Sequence, residues 1–257
     1  SVLNALFNYN TDVVWVYKGE VIDISSKAAF NKWLSVICDQ VYCDTPVYIN
    51  EMVNKHKPSS AISTARVNFL AHLLDNGSDA NLGFEDGKFP PEKTIYLTLL
   101  RNTGIHKRIG REYLLDAPTE GSFLPLWRAC EVFLDSTKEK PRKLGELIKI
   151  LRSRPFKLKQ GVIDLWLPAF LIIKKNDYSL YNDAGIYIHT ITREVLDIMQ
   201  KSPAGFSVKA FNVEGVKLDL FSKYREALGI IQDAEFTADS LIETIKPFLL
   251  FYKKLNK

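Results

Sequence analysis

Hydrophobic and polar residues along this chain follow two periods, that of an α-helix and that of a β-strand, and the longest apolar run lies past the middle. Residues 161–173 are apolar except for one aspartate, which predicts a helix that is buried on all sides. The amphipathic segment 143–152 precedes this run, and the alternating segment 178–188 follows it. The resulting order of helix, turn, helix and hairpin is typical of a winged helix-turn-helix. We therefore expect Trp166 and Phe170 to lie in the core rather than at an interface.

The N-terminal part of the chain predicts a β-hairpin followed by helices. Two segments rich in β-branched and aromatic residues, 13–17 and 21–24, flank a short connection that contains Gly19, as in a hairpin. The next helix begins at Ser25 or Ser26, and its predicted buried face consists of six residues: Phe30, Trp33, Leu34, Ile37, Cys38 and Val41. Apolar residues at helical spacing predict three more helices: a short one at 49–53, one from Ser59 or Ser60 to Leu73, and one from Pro91 to Leu100.

The C-terminal half is predicted to begin after an irregular connection. Residues 105–122 have weak periodicity and contain Pro118 and Gly121, which indicates a linker between two units. We therefore predict a helical subdomain with the N-terminal hairpin over residues 1–118, and a winged-helix-like subdomain with C-terminal helices over residues 119–257. The predicted fold class is mostly α, of the α+β type. Around the central motif we expect further elements: a helix at 126–134, a helix from Thr192, a short strand at 206–210, and helices at 218–228 and 241–255.

Composition and charge set broad limits on function. The 257 residues are 46% hydrophobic and 25% charged, as in soluble globular proteins. A net charge of +4 is compatible with one basic face, but it is far below the charge density of a dedicated nucleic-acid-binding protein. The three cysteines are an odd set, and Cys38 and Cys130 have apolar neighbours, as small buried hydrophobes do. We expect a reducing, cytoplasmic location and no membrane contact, since no secretion signal or membrane span is evident.

Motifs for catalysis or cofactor binding are missing from the sequence. No Gly-rich loop ends in Lys and Ser or Thr, as the phosphate-binding loop of a nucleotide hydrolase does, and no dinucleotide fingerprint is present. Gly121-Ser122 lacks the second glycine and the preceding strand of a serine-hydrolase elbow. Cys38 and Cys43 form one close pair, but no second pair completes a tetrahedral metal site. We therefore expect no catalytic, cofactor-binding or metal-binding residue, and a protein that is not an enzyme and needs no cofactor.

Basic residues cluster around the turn before the apolar run, and they are the candidate contacts for nucleic acid or for a partner. They are Arg142, Lys149, Arg152, Arg154, Lys157 and Lys159. Recognition of base edges requires an exposed polar face on the second helix of the motif, whereas residues 162–173 offer Asp164 and otherwise apolar side chains. Any DNA contact would therefore be made to phosphates, and it would be weak and non-specific. The alternative is that these residues stay solvated or bind acidic partner domains.

Three motifs connect the chain with a known class of protein. They are Gly83-Phe84 followed by Phe89-Pro90-Pro91-Glu92-Lys93-Thr94-Ile95-Tyr96, then Leu124-Pro125-Leu126-Trp127, then Arg154-Pro155-Phe156-Lys157-Leu158-Lys159-Gln160-Gly161-Val162-Ile163. This combination resembles a region of very large bacterial ATPases of the phage-exclusion and allied defence type, and the similarity covers most of the chain. In such proteins the ATP-binding core lies elsewhere, so the resemblance implies a non-catalytic segment. The start at Ser-Val-Leu and the end within a predicted helix also lead us to expect a segment of a longer polypeptide.

These observations lead to one functional hypothesis and one alternative. We expect a non-catalytic structural or protein-interaction module of a larger, ATP-driven bacterial protein of the defence type. Its partners would be other domains of the parent chain or separate proteins. The alternative is a winged-helix DNA-binding regulatory domain whose contacts are mainly to phosphates. The two hypotheses differ in what they require of the basic turn at 152–159.

Overall fold

The computed structural model describes residues 13–211, which form seven α-helices and three small antiparallel sheets. The helices are α1 (Lys27–Val41), α2 (Ser60–Asp75), α3 (Pro91–Tyr96), α4 (Leu124–Asp135), α5 (Leu144–Arg152), α6 (Gln160–Ile173) and α7 (Arg193–Lys201). α3 continues as a turn of π-helix at Leu97–Arg101. This mixture of helix and sheet, in which helix predominates, agrees with the predicted class. The helices predicted at 218–228 and 241–255 lie outside the described residues.

The strands of residues 13–211 are short and pair mostly as hairpins. They are β1 (Trp15–Tyr17), β2 (Glu20–Ile22), β3 (His106–Ile109), β4 (Glu112–Leu115), β5 (Arg142–Lys143), β6 (Tyr178–Tyr181), β7 (Tyr187–Ile188) and β8 (Ser207–Ala210). β1 and β2 form the predicted N-terminal hairpin. β6 and β7 form the hairpin predicted after the apolar run, in a sheet of order β5-β8-β6-β7. β8 therefore lies between the strand that precedes α5 and the strand that follows α6.

α6 lies at the centre of the core because its sequence is apolar on every side. Eleven of its fourteen residues are buried. The Trp166 ring lies 5.6 Å from that of Phe123 and 6.2 Å from that of Trp127. The Trp127 ring also packs edge-on against Phe170, at 5.1 Å. Burial of a phenylalanine-sized side chain stabilises a fold by about 1.5–3 kcal/mol. Trp166 and Phe170 are thus core residues, as predicted.

One hydrophobic core joins the two halves of the chain. Its buried residues run from Tyr48 in the N-terminal half to Val208 in β8. α2 packs against α3 on one side and against α6 on the other. The position of α6, and of the turn that precedes it, is therefore determined by elements from both halves.

α1 forms where it is predicted, but its apolar face is less buried than expected. No residue of α1 is buried, and both Leu34 and Cys38 are exposed. The helix packs against the hairpin β1–β2, with the Trp15 ring 5.2 Å from the Phe30 ring. A two-stranded hairpin is too narrow to cover the whole face of a helix. The prediction that Cys38 lies in the core is therefore wrong, whereas Cys130 is buried as expected.

Two other segments also differ from their prediction. Residues 49–53, predicted to be a short helix, form an extended piece and a turn, in which Val53 N donates to the carbonyl and to the side-chain oxygen of Asn50. Residues 105–122, predicted to be an irregular linker, contain the hairpin β3–β4, and Asp116 N donates to the Ile105 carbonyl at 2.9 Å. Sequence periodicity missed this hairpin because β3 is largely polar, so the alternation typical of a half-buried strand is absent.

Protonation of His106, a buried residue in β3, is expected to destabilise the fold. Its Nδ1 lies 2.9 Å from the Tyr96 hydroxyl oxygen. Burial lowers the pKa of His106 below its ordinary value of 6.5, and a contact with the Gly77 backbone only partly offsets this effect. Well above pH 6.5 the folded and unfolded chains are both neutral at this position. Below it the unfolded chain takes up the proton first, so the free energy of unfolding falls as the pH decreases. Urea unfolding at several pH values between about 5 and 7.5 measures this effect.

The contribution of His106 can be isolated with one variant and one control. His106→Gln is expected to have a flatter dependence of unfolding free energy on pH than the parent, because it removes the buried titrating group. Ser35→Ala changes an exposed residue that has no ionisable side chain and is expected to keep the parent's slope. Identical slopes for the parent and His106→Gln would contradict the prediction.

Candidate interaction surface

The turn between α5 and α6 lies against the loop at 42–59. The Leu158 N–H donates to the Leu151 carbonyl at 2.9 Å, which folds the turn back onto the end of α5. The Gly161 N–H donates to the Lys55 carbonyl, also at 2.9 Å, which joins the start of α6 to the loop. Two segments distant in sequence therefore form one continuous surface.

A depression of about 500 Å³ opens between this turn and the loop. We call it the basic depression, because its lining combines three cationic side chains with an imidazole, a leucine and an amide: Arg152, Lys157, Lys159, His56, Leu158 and Gln160. Arg152 comes from the end of α5, and both lysines come from the turn. The positive end of the α6 macrodipole lies beside them. The depression is therefore suited to an anion.

The three cations of the basic depression have no carboxylate partner within 4.0 Å among residues 13–211. Arg152 donates instead to the side-chain oxygen of Gln160. The nearby carboxylate, Asp164, accepts a hydrogen bond from the Gln160 amide and lies 3.5 Å from the Arg66 guanidinium. Burial raises the pKa of Asp164, while Gln160 and the charges of Arg66 and Arg152 act in the opposite direction. The direct partners of Asp164 are thus Gln160 and Arg66, and it neutralises Arg152 only in part.

The structure brings together three of the six basic residues predicted as contacts. Arg152, Lys157 and Lys159 line the basic depression, and the Lys159 amine donates to the loop carbonyl of Asn54 at 3.2 Å. The other three, Lys149, Arg154 and Arg142, do not line it. Lys149 and Arg154 are exposed nearby, on α5 and in the turn.

Arg142, the sixth predicted contact, is engaged within the fold. Its guanidinium donates to Glu146 Oε2 at 2.7 and 3.0 Å and to the Ser136 hydroxyl at 2.6 Å. It also lies over the Phe133 ring, 4.7 Å from the centroid. The hydrogen bond from Arg142 is the largest cause of the lowered pKa of Glu146. Arg142 therefore supports the junction between β5 and α5 and takes no part in the basic depression.

An apolar strip lies on the loop that forms one wall of the basic depression. Its residues are Val47, Ile49 and Met52, whose accessible fractions are 67%, 82% and 45%. Pro46, Tyr48 and Asn50 alternate with Val47 and Ile49 and are buried, so the chain here alternates between core and solvent. Three large apolar side chains are thus exposed within six positions of the chain, and an apolar surface of this kind is a candidate for contact with another molecule.

Sequence periodicity did not identify the apolar strip, His56 or Gln160 as parts of the site. His56 is far along the chain from Arg152, and only the packing of the loop brings the two together. Buried and exposed residues alternate at 46–50 as in a half-buried strand. Apolar residues occupy both sets of positions, however, and this hides the alternation.

Within residues 13–211, no group of three or more His, Cys, Asp or Glu side chains is arranged to hold a metal ion. Over the same residues, each helix is too short or too polar to cross a membrane. Comparison of the chain with protein-family models, curated proteins and solved structures found no match. Its function must therefore be inferred from the chemistry of its surface.

Proposed function

We propose that this chain is a non-catalytic protein-interaction module of a larger, ATP-driven bacterial protein of the defence type. The observation that supports this most is that the loop at 42–59 contributes both His56 to the basic depression and the residues of the apolar strip. Protein interfaces combine an apolar centre with a polar rim, and arginine is enriched in them. A segment with acidic and apolar side chains, from another domain of the parent or from a separate protein, fits both parts.

A winged-helix-like arrangement of the second half is compatible with this role. α5, α6 and the hairpin β6–β7 follow one another in the order of that motif, with β8 as an additional strand. In that motif α6 would be the recognition helix, yet eleven of its fourteen residues are buried. The helix therefore forms part of the core, and the turn before it is the part of the motif that is accessible to a partner.

DNA contact through phosphates is the second candidate function, favoured by the convergence of Arg152, Lys157 and Lys159. A duplex presents phosphates along its length, however, whereas these cations converge on one depression. The turn of the β6–β7 hairpin carries an acidic residue, Asp183, which forms an ion pair with Lys143 at 2.6 Å. The hairpin turn therefore offers a carboxylate, which phosphates would repel, and Lys143 is already paired. The apolar strip would also contribute nothing to phosphate contact. A protein partner accounts for more of the surface.

Titration with duplex DNA tests the choice between the two candidates. We expect two unrelated fluorescent duplexes to show no anisotropy change at physiological salt, because the cations are too few and too localised to neutralise many phosphates. Charge reversal at Arg154 and Lys157 should then change nothing. Tight binding to one duplex that survives physiological salt, and that the reversal abolishes, would replace the proposal with the DNA-binding regulator.

Photo-crosslinking in the full-length protein, expressed in its own cells, is the direct test of a protein partner. A photoreactive amino acid at Ile49 is expected to cross-link a polypeptide segment that contains acidic residues, identified by mass spectrometry. Lys157→Glu should reduce the yield, because it reverses one charge of the basic depression. The same photoreactive residue at Val132, which is 67% exposed on α4, is the control whose yield Lys157→Glu should not alter. If Lys157→Glu leaves the cross-linking yield at Ile49 unchanged, the apolar strip and the basic depression do not bind the same partner.

A further inference from the structure

The positive charge of the basic depression exceeds what a single carboxylate can neutralise. Arg152, Lys157 and Lys159 together carry three positive charges, and His56 adds an imidazole. Asp164 offsets only part of this charge, because it lies 3.5 Å from the Arg66 guanidinium and interacts with both Arg66 and Arg152. Like charges around one concave site repel each other when no anion is bound. A dianion relieves this repulsion more than a monoanion does.

We propose that the basic depression binds the phosphate group of a phosphate monoester carried by the partner. This inference rests on the proposed function and specifies the group that the depression receives. A phosphate monoester carries about 1.5–2 negative charges at neutral pH and has three acceptor oxygens. A guanidinium such as that of Arg152 binds two phosphate oxygens in parallel, and lysine amines supply further donors. The volume of about 500 Å³ lies within the usual range of ligand sites.

The lining of the depression favours a phosphate on a protein side chain over the phosphate of a nucleotide. No Phe, Tyr or Trp side chain among the described residues lines it, so a nucleobase would have only the His56 ring to stack on. The apolar strip on the same loop offers contacts to the residues that flank a phosphorylated position. Phosphoserine or phosphothreonine in the partner is therefore the expected source of the phosphate.

The backbone conformation of Lys157 allows a substitution that removes its charge without destabilising the fold. Its φ of +52° lies in the left-handed region, which glycine adopts without the steric penalty of a Cβ. Strained backbone of this kind is concentrated at functional sites. Lys157→Gly is therefore expected to maintain or raise the melting temperature while it removes one cation. A purely structural lysine would give no change in binding.

Calorimetric titration with a short phosphoserine peptide, whose other residues are uncharged, tests the inference. The parent protein is expected to bind this peptide more tightly than the same peptide with serine or with glutamate at that position. Lys157→Gly should weaken binding about tenfold, because a charge-assisted hydrogen bond is lost. Lys140→Gly removes the same charge from an exposed residue outside the depression and should leave affinity unchanged. Adenosine monophosphate is titrated in parallel to distinguish the two sources of phosphate.

Several results would overturn the inference. Equal affinity for the phosphoserine and glutamate peptides would exclude selectivity for a dianion. Affinity that is insensitive to Lys157→Gly would place the phosphate elsewhere, and tighter binding of adenosine monophosphate would exclude the assignment to a side chain. A protein that binds no phosphopeptide but still cross-links at Ile49 would refute this inference and leave the proposed function intact. Phosphopeptide binding without the Ile49 cross-link would count against the proposed function alone.

Discussion

Replacing Trp166 with alanine is expected to lower the free energy of unfolding by about 3–5 kcal/mol. Only 1% of Trp166 is accessible to solvent, its ring packs on those of Phe123 and Trp127, and its Nε1–H donates to Cys130 Sγ at 3.4 Å. Alanine would remove these contacts and leave a cavity, because closely packed neighbours relax only partly. Urea unfolding followed by circular dichroism in the far ultraviolet measures the loss without depending on the fluorescence of the deleted side chain.

Trp33→Ala is the matched control for this substitution. Trp33 lies on α1, is partly exposed, and packs against Tyr17 of the hairpin at 6.4 Å between ring centroids. Because Trp33 is already partly exposed, its truncation removes less buried contact area than that of Trp166, and we expect a clearly smaller loss of stability. Equal losses for the two variants would argue against the central position of α6. A Trp166→Ala protein that unfolds like the parent but no longer binds its partner would place α6 at an interface instead.

The central helix could be predicted from sequence because its composition leaves few alternatives. A run of thirteen residues with a single charge, 161–173, has no polar face to present to solvent, so it must be covered on all sides. The helices α1, α2 and α3 and the hairpin at 178–188 were similarly evident, since caps, turns and periodicity agree with one another there. These elements form in the structure as the local sequence predicts, because the same residues that favour each element also pack in the core.

α1 shows where periodicity ceases to be informative. The spacing of Phe30, Trp33 and Ile37 correctly identified a helix with an apolar face. Periodicity reports that a face is apolar, however, and does not report what covers it. Cys38 lies on that face and is nevertheless exposed, because its burial depends on tertiary neighbours that the local pattern does not encode. The same limit applies to any helix that packs against a small hairpin.

Some residues of the candidate site could be predicted from the local sequence, whereas others could be found only from the tertiary structure. Arg152, Lys157 and Lys159 could be grouped from sequence because a short turn keeps them close together. His56 could not, since its place in the depression follows from the hydrogen bond between Gly161 and the Lys55 carbonyl. A cluster of basic residues is thus visible in a sequence, whereas the concave shape that makes it selective arises only from tertiary structure.

Gly161→Ala is expected to destabilise the protein, although replacing glycine by alanine within a helix ordinarily stabilises it by about 0.5–1 kcal/mol. A Cβ at this position would lie 2.2 Å from the Val53 carbonyl oxygen and 2.8 Å from Pro58 Cγ. The loop would have to move away from α6 and lose the hydrogen bond from Gly161 N–H to the Lys55 carbonyl. Overpacking of this kind costs about 1–3 kcal/mol or more, which urea unfolding would detect.

The same substitution is expected to weaken phosphopeptide binding, because it moves one wall of the basic depression. The loop carries His56, and its Asn54 carbonyl accepts the hydrogen bond from the Lys159 amine at 3.2 Å, so both would be displaced. Gly121→Ala is the control, since a Cβ there meets nothing within 4 Å and should leave both stability and affinity unchanged. If Gly161→Ala were as stable as the parent, the loop could not lie against the start of α6. The wall of the basic depression that carries His56 would then lie elsewhere.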